Sequence, residues 1–147
     1  MPVEDSIVLQ IFIIKLLSVP PLVQDCKNGG VYMLRGIIAE DNSLIRKTLE
    51  DVILSFGSID IIYSVGSGDE LWEILEFFLP GILFLDIGLP GRSGIEITRH
   101  ARLYHPFIEI VFITSHEKYL KEAVELYAAD YILKPLNVAR LKKLSKE

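Results

Sequence analysis

The sequence carries one cysteine, Cys26, in 147 residues, which excludes a disulfide framework and any metal cluster built on thiolates. A reducing, cytoplasmic setting is expected. Basic charge is not in excess: 15 Lys and Arg stand against 20 Asp and Glu, for a formal net charge of -5. A dedicated nucleic-acid module shows a basic face that displaces counterions from phosphate, so no direct nucleic-acid binding is expected and partners are read as proteins. A membrane-length apolar run is also missing. Residues 7–17, IVLQIFIIKLL, contain Gln10 and Lys15 and are followed by Pro20-Pro21, short of the roughly 20 apolar residues a membrane helix needs. Glu4 and Asp5 precede that run, where a secretory signal has basic residues. No membrane association is expected. The three histidines, His100, His105 and His116, have no metal-ligand spacing and no Ser or Cys partner in a triad motif, and are read as surface residues. Gly66 and Gly68 make only part of a dinucleotide loop, because Leu71 stands where its third glycine belongs.

What is present fits one folded domain. Hydrophobic residues make up 50% and charged residues 24%, and the length suits a single core but not two ordinary domains. Residues 1–32 do not share the pattern that follows and are read as an apolar N-terminal extension, either dispensable or a start placed ahead of Met33. Residues 33–147 are read as the domain.

From Leu34 the pattern is regular. Residues 34–39 read as a strand ending at Glu40-Asp41, and Asn42 caps a helix with Ile45, Leu49, Val52 and Phe56 on one face. A second strand, 59–63, leads through Gly66-Ser67-Gly68, where Ser67 and Glu70 form a capping box, into a helix carrying Leu71, Ile74, Leu75 and Phe78. The third strand, 82–85, is apolar throughout, as a strand buried on both faces should be, and stops at Asp86. Turn residues follow at Leu89-Pro90-Gly91, and Ser93 with Glu96 forms a capping box for a helix with Ile97, Ala101 and Tyr104. Residues 108–114 read as a fourth strand and 131–133 as a fifth. Leu120, Ala123, Val124 and Tyr127 mark the amphipathic helix between them, and Val138, Leu141 and Leu144 mark a last helix. Five βα units in alternation predict a doubly wound α/β fold, a five-stranded parallel sheet ordered 2-1-3-4-5 with helices on both faces.

That topology gathers chemistry at one edge. Glu40 and Asp41 end strand one, Asp86 strand three, Thr114 strand four and Lys134 strand five; strands one and three are neighbours at the switch point, where ligands bind. Converging carboxylates repel unless a cation offsets them. An all-oxygen cluster with few protein ligands suits Mg2+, which keeps several waters and shares its site with phosphate. Lys134 offers a compact charge to a phosphoryl oxygen and Thr114 a hydroxyl donor. These parts fit phosphoryl transfer onto a carboxylate, with Asp86 as the nucleophile.

The stretches AEDN at 39–42, LDIGLPGRSGIE at 85–96, FITS at 112–115 and AADYILKPL at 128–136 resemble the receiver domain of bacterial two-component response regulators, the chemotaxis-regulator superfamily with the flavodoxin-like fold. The resemblance spans residues 34–147. It implies that Asp86 accepts a phosphoryl group from a sensor histidine kinase. Mg2+ would be held by Asp41, Asp86 and the backbone carbonyl of Gly88, with Glu40 assisting through water. It further implies that Thr114 bonds the phosphoryl group, that Tyr131 changes rotamer, that the Lys134-Pro135 bond is cis, and that helix four, strand five and helix five form the output surface. That surface would serve a downstream protein partner or self-association. EKYLKEAVELYAADYILKP at 117–135 is similar to receivers of the LytTR class, in which a DNA-binding domain follows; residues 33–147 leave no room for one, so a fragment or a stand-alone receiver is expected.

The resemblance implies a phosphoacceptor, not an enzyme acting on external substrates, although slow self-dephosphorylation is compatible with it. An aspartate-based phosphatase of the haloacid dehalogenase type would need a second Asp two residues after the first, and that position is Gly88. A pseudo-receiver that docks or dimerises without phosphorylation is the other alternative; the acid pair, Asp86, Thr114 and Lys134 argue against it.

Overall fold

The computed structural model describes residues 33–136. The apolar run 7–17 and the last helix expected around Val138 lie outside them. Five strands form one sheet: β1 (Leu34–Ala39), β2 (Ile59–Val65), β3 (Ile82–Leu85), β4 (Glu109–Thr114) and β5 (Asp130–Leu133), in the order β2-β1-β3-β4-β5. Every pairing is parallel, so all strand C-termini share one edge, as the alternation predicts. The chain passes from β1 outward to β2 and returns to β3 on the other side of β1, which opens the crevice at the ends of β1 and β3.

Four helices lie between the strands: α1 (Ser43–Ser55), α2 (Gly68–Leu75), α3 (Gly94–Tyr104) and α4 (Leu120–Glu125). The core has a layer on each sheet face. On one, Leu49, Val52 and Ile53 of α1 pack against Ile38, Phe84, Val111 and Ile113. On the other, Leu71, Ile97, Ala101 and Ala123 of α2, α3 and α4 cover Ile37, Leu83, Leu85 and Phe112. β3 is buried along its whole length, which explains why it reads as unbroken hydrophobics. Among the described residues no helix is long and apolar enough to cross a membrane.

The caps are where the residue types placed them. Asn42 accepts the amides of Leu44 and Ile45 at 3.0 and 3.1 Å, and Ser67 and Ser93 accept those of Glu70 and Glu96, both at 3.2 Å. Asn42→Ala leaves two first-turn amides to water and is expected to cost about 1 kcal/mol. Urea unfolding measures it as a lower midpoint with an unchanged slope; an unaltered midpoint would remove the cap from the account.

Three expectations need correction. Tyr104 is 67% exposed, because α3 ends there and its inward stripe is Ile97, Thr98 and Ala101. Leu120, Val124 and Tyr127 are also exposed, at 52%, 67% and 82%. The residues of this region that reach the core are Tyr119, Ala123 and Leu126, a stripe rotated by one position. Apolar spacing says which residues share a face, not which way that face points. Finally, His100 and His105 are half-buried, and His100 stacks on Trp72, with ring centroids 3.9 Å apart.

Candidate functional site

The edge of the sheet assembles from short chain ends. β1 stops at Ala39, and the Ala39 carbonyl accepts the Asp86 amide at 3.0 Å, so the parallel register of β1 and β3 carries directly into the acids. Glu40 and Asp86 are buried, at 1% and 7% exposure, whereas Asp41 is exposed. One carboxylate oxygen from each of Glu40, Asp41 and Asp86 lies within 4.8 Å of the others. The Lys134 ammonium reaches them from the end of β5, 2.8 Å from Asp86 Oδ2 and in an ion pair with Glu40 Oε1. Its backbone is tied to β4, the Lys134 amide donating to the Thr114 carbonyl at 2.8 Å. The Lys134-Pro135 peptide bond is cis, as the resemblance implied.

The second oxygens are also engaged. Asp86 Oδ1 accepts the Gly88 amide at 3.1 Å, and Glu40 Oε2 accepts that of Asn42 at 3.0 Å. Burial pushes the Glu40 carboxyl above its usual value, opposed by the Lys134 hydrogen bond. Burial also works against the charged form of Lys134, but its hydrogen bonds to Asp86 and Glu40 outweigh that and the net shift is upward. The amine is therefore held as a cation. Three carboxylates face one ammonium, so with all three ionised the cluster is short of positive charge. An all-oxygen donor set with one exposed member suits a hard divalent cation that retains water. These residues fit Mg2+.

The remaining expected residues lie on the rim. Thr114 is fully buried at the end of β4, its Oγ1 accepting the His116 amide at 3.4 Å. Tyr131 is half-buried; its hydroxyl donates to the His116 carbonyl and its ring centroid lies 6.1 Å from that of Phe112. Gly88 is exposed beside Asp86, where an added Cβ would sit 3.7 Å from His116 Nε2. His116 is therefore a surface residue bordering the site, which its sequence context did not reveal. Sequence reasoning also passed over Arg92, which pairs with Asp69 and lies over Trp72; an arginine two residues after a turn proline carries no signal of its own.

Known proteins are similar to this chain in sequence and in fold. The family model described as the response regulator receiver domain matches residues 37–146. Sensory transduction protein LytT of Oceanobacillus iheyensis is 36% identical over 108 residues, covering 72% of this chain and 44% of that protein. Transcriptional regulatory protein BtsR of Escherichia coli is 34% identical over 112 residues, covering 76% of this chain and 46% of that protein. The chain thus spans less than half the length of these relatives, which are of the LytTR class. Among solved structures, the response regulatory domain of protein mrkE from Klebsiella pneumoniae superposes with a TM-score of 0.70 at 30% identity, covering 77% of this chain and 93% of that one. The REC domain of AraT from Geobacillus stearothermophilus gives 0.67 at 27% identity, covering 78% and 91%.

Proposed function

Because this chain belongs to the response regulator receiver domain family, whose members act as phosphoacceptors toward sensor kinases in two-component systems, we propose that Asp86 is its phosphoacceptor. The observation that carries this is the buried Asp86 carboxylate, paired with Lys134 and within 4.8 Å of the Glu40 and Asp41 oxygens. A carboxylate oxygen of Asp86 attacks the phosphorus of the kinase's phosphohistidine. The P–N bond breaks as the P–O bond forms, and the imidazole nitrogen leaves with its electron pair. Asp41, Asp86 and the carbonyl of Gly88 would hold Mg2+, with Glu40 reaching it through water, and the ion would offset the charge on the phosphoryl oxygens. Lys134, already at Asp86, neutralises one phosphoryl oxygen; Thr114 donates its hydroxyl to another.

The switch follows from these contacts. Thr114 drawn toward Asp86 moves the β4–α4 connection, where Tyr131 bonds the His116 carbonyl, and Tyr131 turns inward. The surface of α4 and β5, with the helix expected around Val138, then changes its preference for a protein partner or a second copy. The exposure of Leu120, Val124 and Tyr127 supports that assignment. Residues 33–147 are the receiver in this reading and residues 1–32 an extension. It works in the cytoplasm as a phosphoacceptor, with hydrolysis limited to slow loss of its own phosphoryl group. Regulation of transcription through a following domain is the role by which a LytTR-class receiver would act. Amide NMR tests the switch: acetyl phosphate with Mg2+ is expected to shift Ala123, Tyr127 and Tyr131, and unchanged positions in phosphorylated protein would contradict it.

A further inference from the structure

We infer that Arg92 is a positioning residue for the phosphoacceptor, clasping α2 through Asp69 and Trp72 and so holding the far arm of the loop that carries Asp86. This rests on the phosphoacceptor reading of Asp86. The near arm of the loop is held by burial of Ile87 and Leu89 and by the Gly94 amide, which donates to the Ile87 carbonyl at 2.9 Å. The far arm lies against the start of α2. The Gly68 amide donates to the Pro90 carbonyl at 2.9 Å, and the backbones meet so closely that a Cβ on Gly68 would stand 1.8 Å from the Arg92 carbonyl oxygen. Gly91, at φ +76, brings the loop past Asp69, whose Oδ2 would be 2.5 Å from a Cβ there. Arg92 closes this junction. Its Nη1 lies 3.3 Å from Asp69 Oδ1, and its guanidinium carbon lies 4.1 Å from the Trp72 ring centroid. His100 of α3 stacks on the same indole, so the aromatic that receives Arg92 is itself braced.

The ion pair is partly exposed, with side chains at 39% and 62%, so its effect comes from location more than from strength. The clasp fixes a loop whose other end presents Asp86 Oδ1 to the Gly88 amide. Arg92→Ala is expected to speed hydrogen exchange at Gly68, Gly88 and Gly94 about fivefold, the scale that a surface ion pair and one cation–π contact supply. Leu83 in β3 is expected to exchange at the wild-type rate. Phosphorylation by acetyl phosphate is expected to slow by a similar factor, with Arg92→Lys restoring much of both and Asp69→Asn giving an intermediate loss.

Wild-type exchange at Gly88 and Gly94 in Arg92→Ala would overturn the inference. So would acceleration shared equally by Leu83, which marks a general loss of stability. Should wild-type protein take up no phosphoryl group, the phosphoacceptor reading fails by itself; exchange at Gly88, whose amide bonds the Asp86 carboxylate, still decides the role of Arg92.

Discussion

Replacing Lys134 with methionine is expected to abolish phosphoryl uptake at Asp86 and to cost about 3–5 kcal/mol of stability at neutral pH, the range for breaking a buried ion pair by removing one partner. The Lys134 side chain is 13% exposed, and those of Glu40 and Asp86 are 2% and 9% exposed. Without the ammonium the two carboxylates face each other with little water to screen them. The pH dependence has a definite sign. Burial raises the Glu40 carboxyl and Lys134 opposes that rise, so loss of Lys134 lifts it further. A carboxyl whose folded-state pKa lies above its unfolded value contributes stability below the unfolded value and loses it as pH rises through the folded one. The deficit of Lys134→Met should therefore be largest at neutral pH and narrow as the pH falls toward the ordinary carboxylate range. Denaturant unfolding at several pH values measures it, and a deficit independent of pH would mean that the lost interaction is packing rather than charge.

Gly94→Ala carries the second large effect. A Cβ there would meet the Asp86 carbonyl oxygen at 2.5 Å and the Ile87 Cα at 2.8 Å, both backbone atoms of the phosphoacceptor loop. Because no flexible side chain can yield, the cost should lie toward the upper part of the 1–3 kcal/mol typical of overpacking, about 2–3 kcal/mol. The loop has to move, and Asp86 moves with it. Thermal unfolding and phosphorylation rate are both expected to fall, the rate in protein still folded at the assay temperature. A stable variant with wild-type uptake would contradict the close approach of α3 to this loop.

Much of this is legible in the amino-acid sequence, and the reason differs by element. β3 declared itself because a strand covered on both faces has no polar positions, and its end could be placed at Asp86 because a charged group stops such a run. Asn42, Ser67 and Ser93 announced helix starts because capping depends on a local side-chain oxygen. Glu40, Asp86 and Lys134 could be brought together from topology alone, since a parallel sheet places all strand C-termini on one edge. The α4 face was not legible: Leu120, Val124 and Tyr127 have helical spacing yet point outward, and only packing decides direction. The set around Arg102 also escaped notice. Its guanidinium donates to the carbonyls of Pro106, Ile108, Leu126 and Tyr127, and backbone acceptors leave no trace in residue types. The stack of Arg92, Trp72 and His100 joins three elements through side chains that are each unremarkable in sequence.

The central claim, that Asp86 takes a phosphoryl group, is tested most directly by intact mass after incubation with acetyl phosphate and Mg2+, run beside Asp86→Asn and a sample with chelator. The expected result is a gain of one phosphoryl group in the wild-type protein and none in either control. No gain in a protein shown to be folded would contradict it and leave a docking module that works without phosphorylation; a gain that survives in Asp86→Asn would place the acceptor elsewhere.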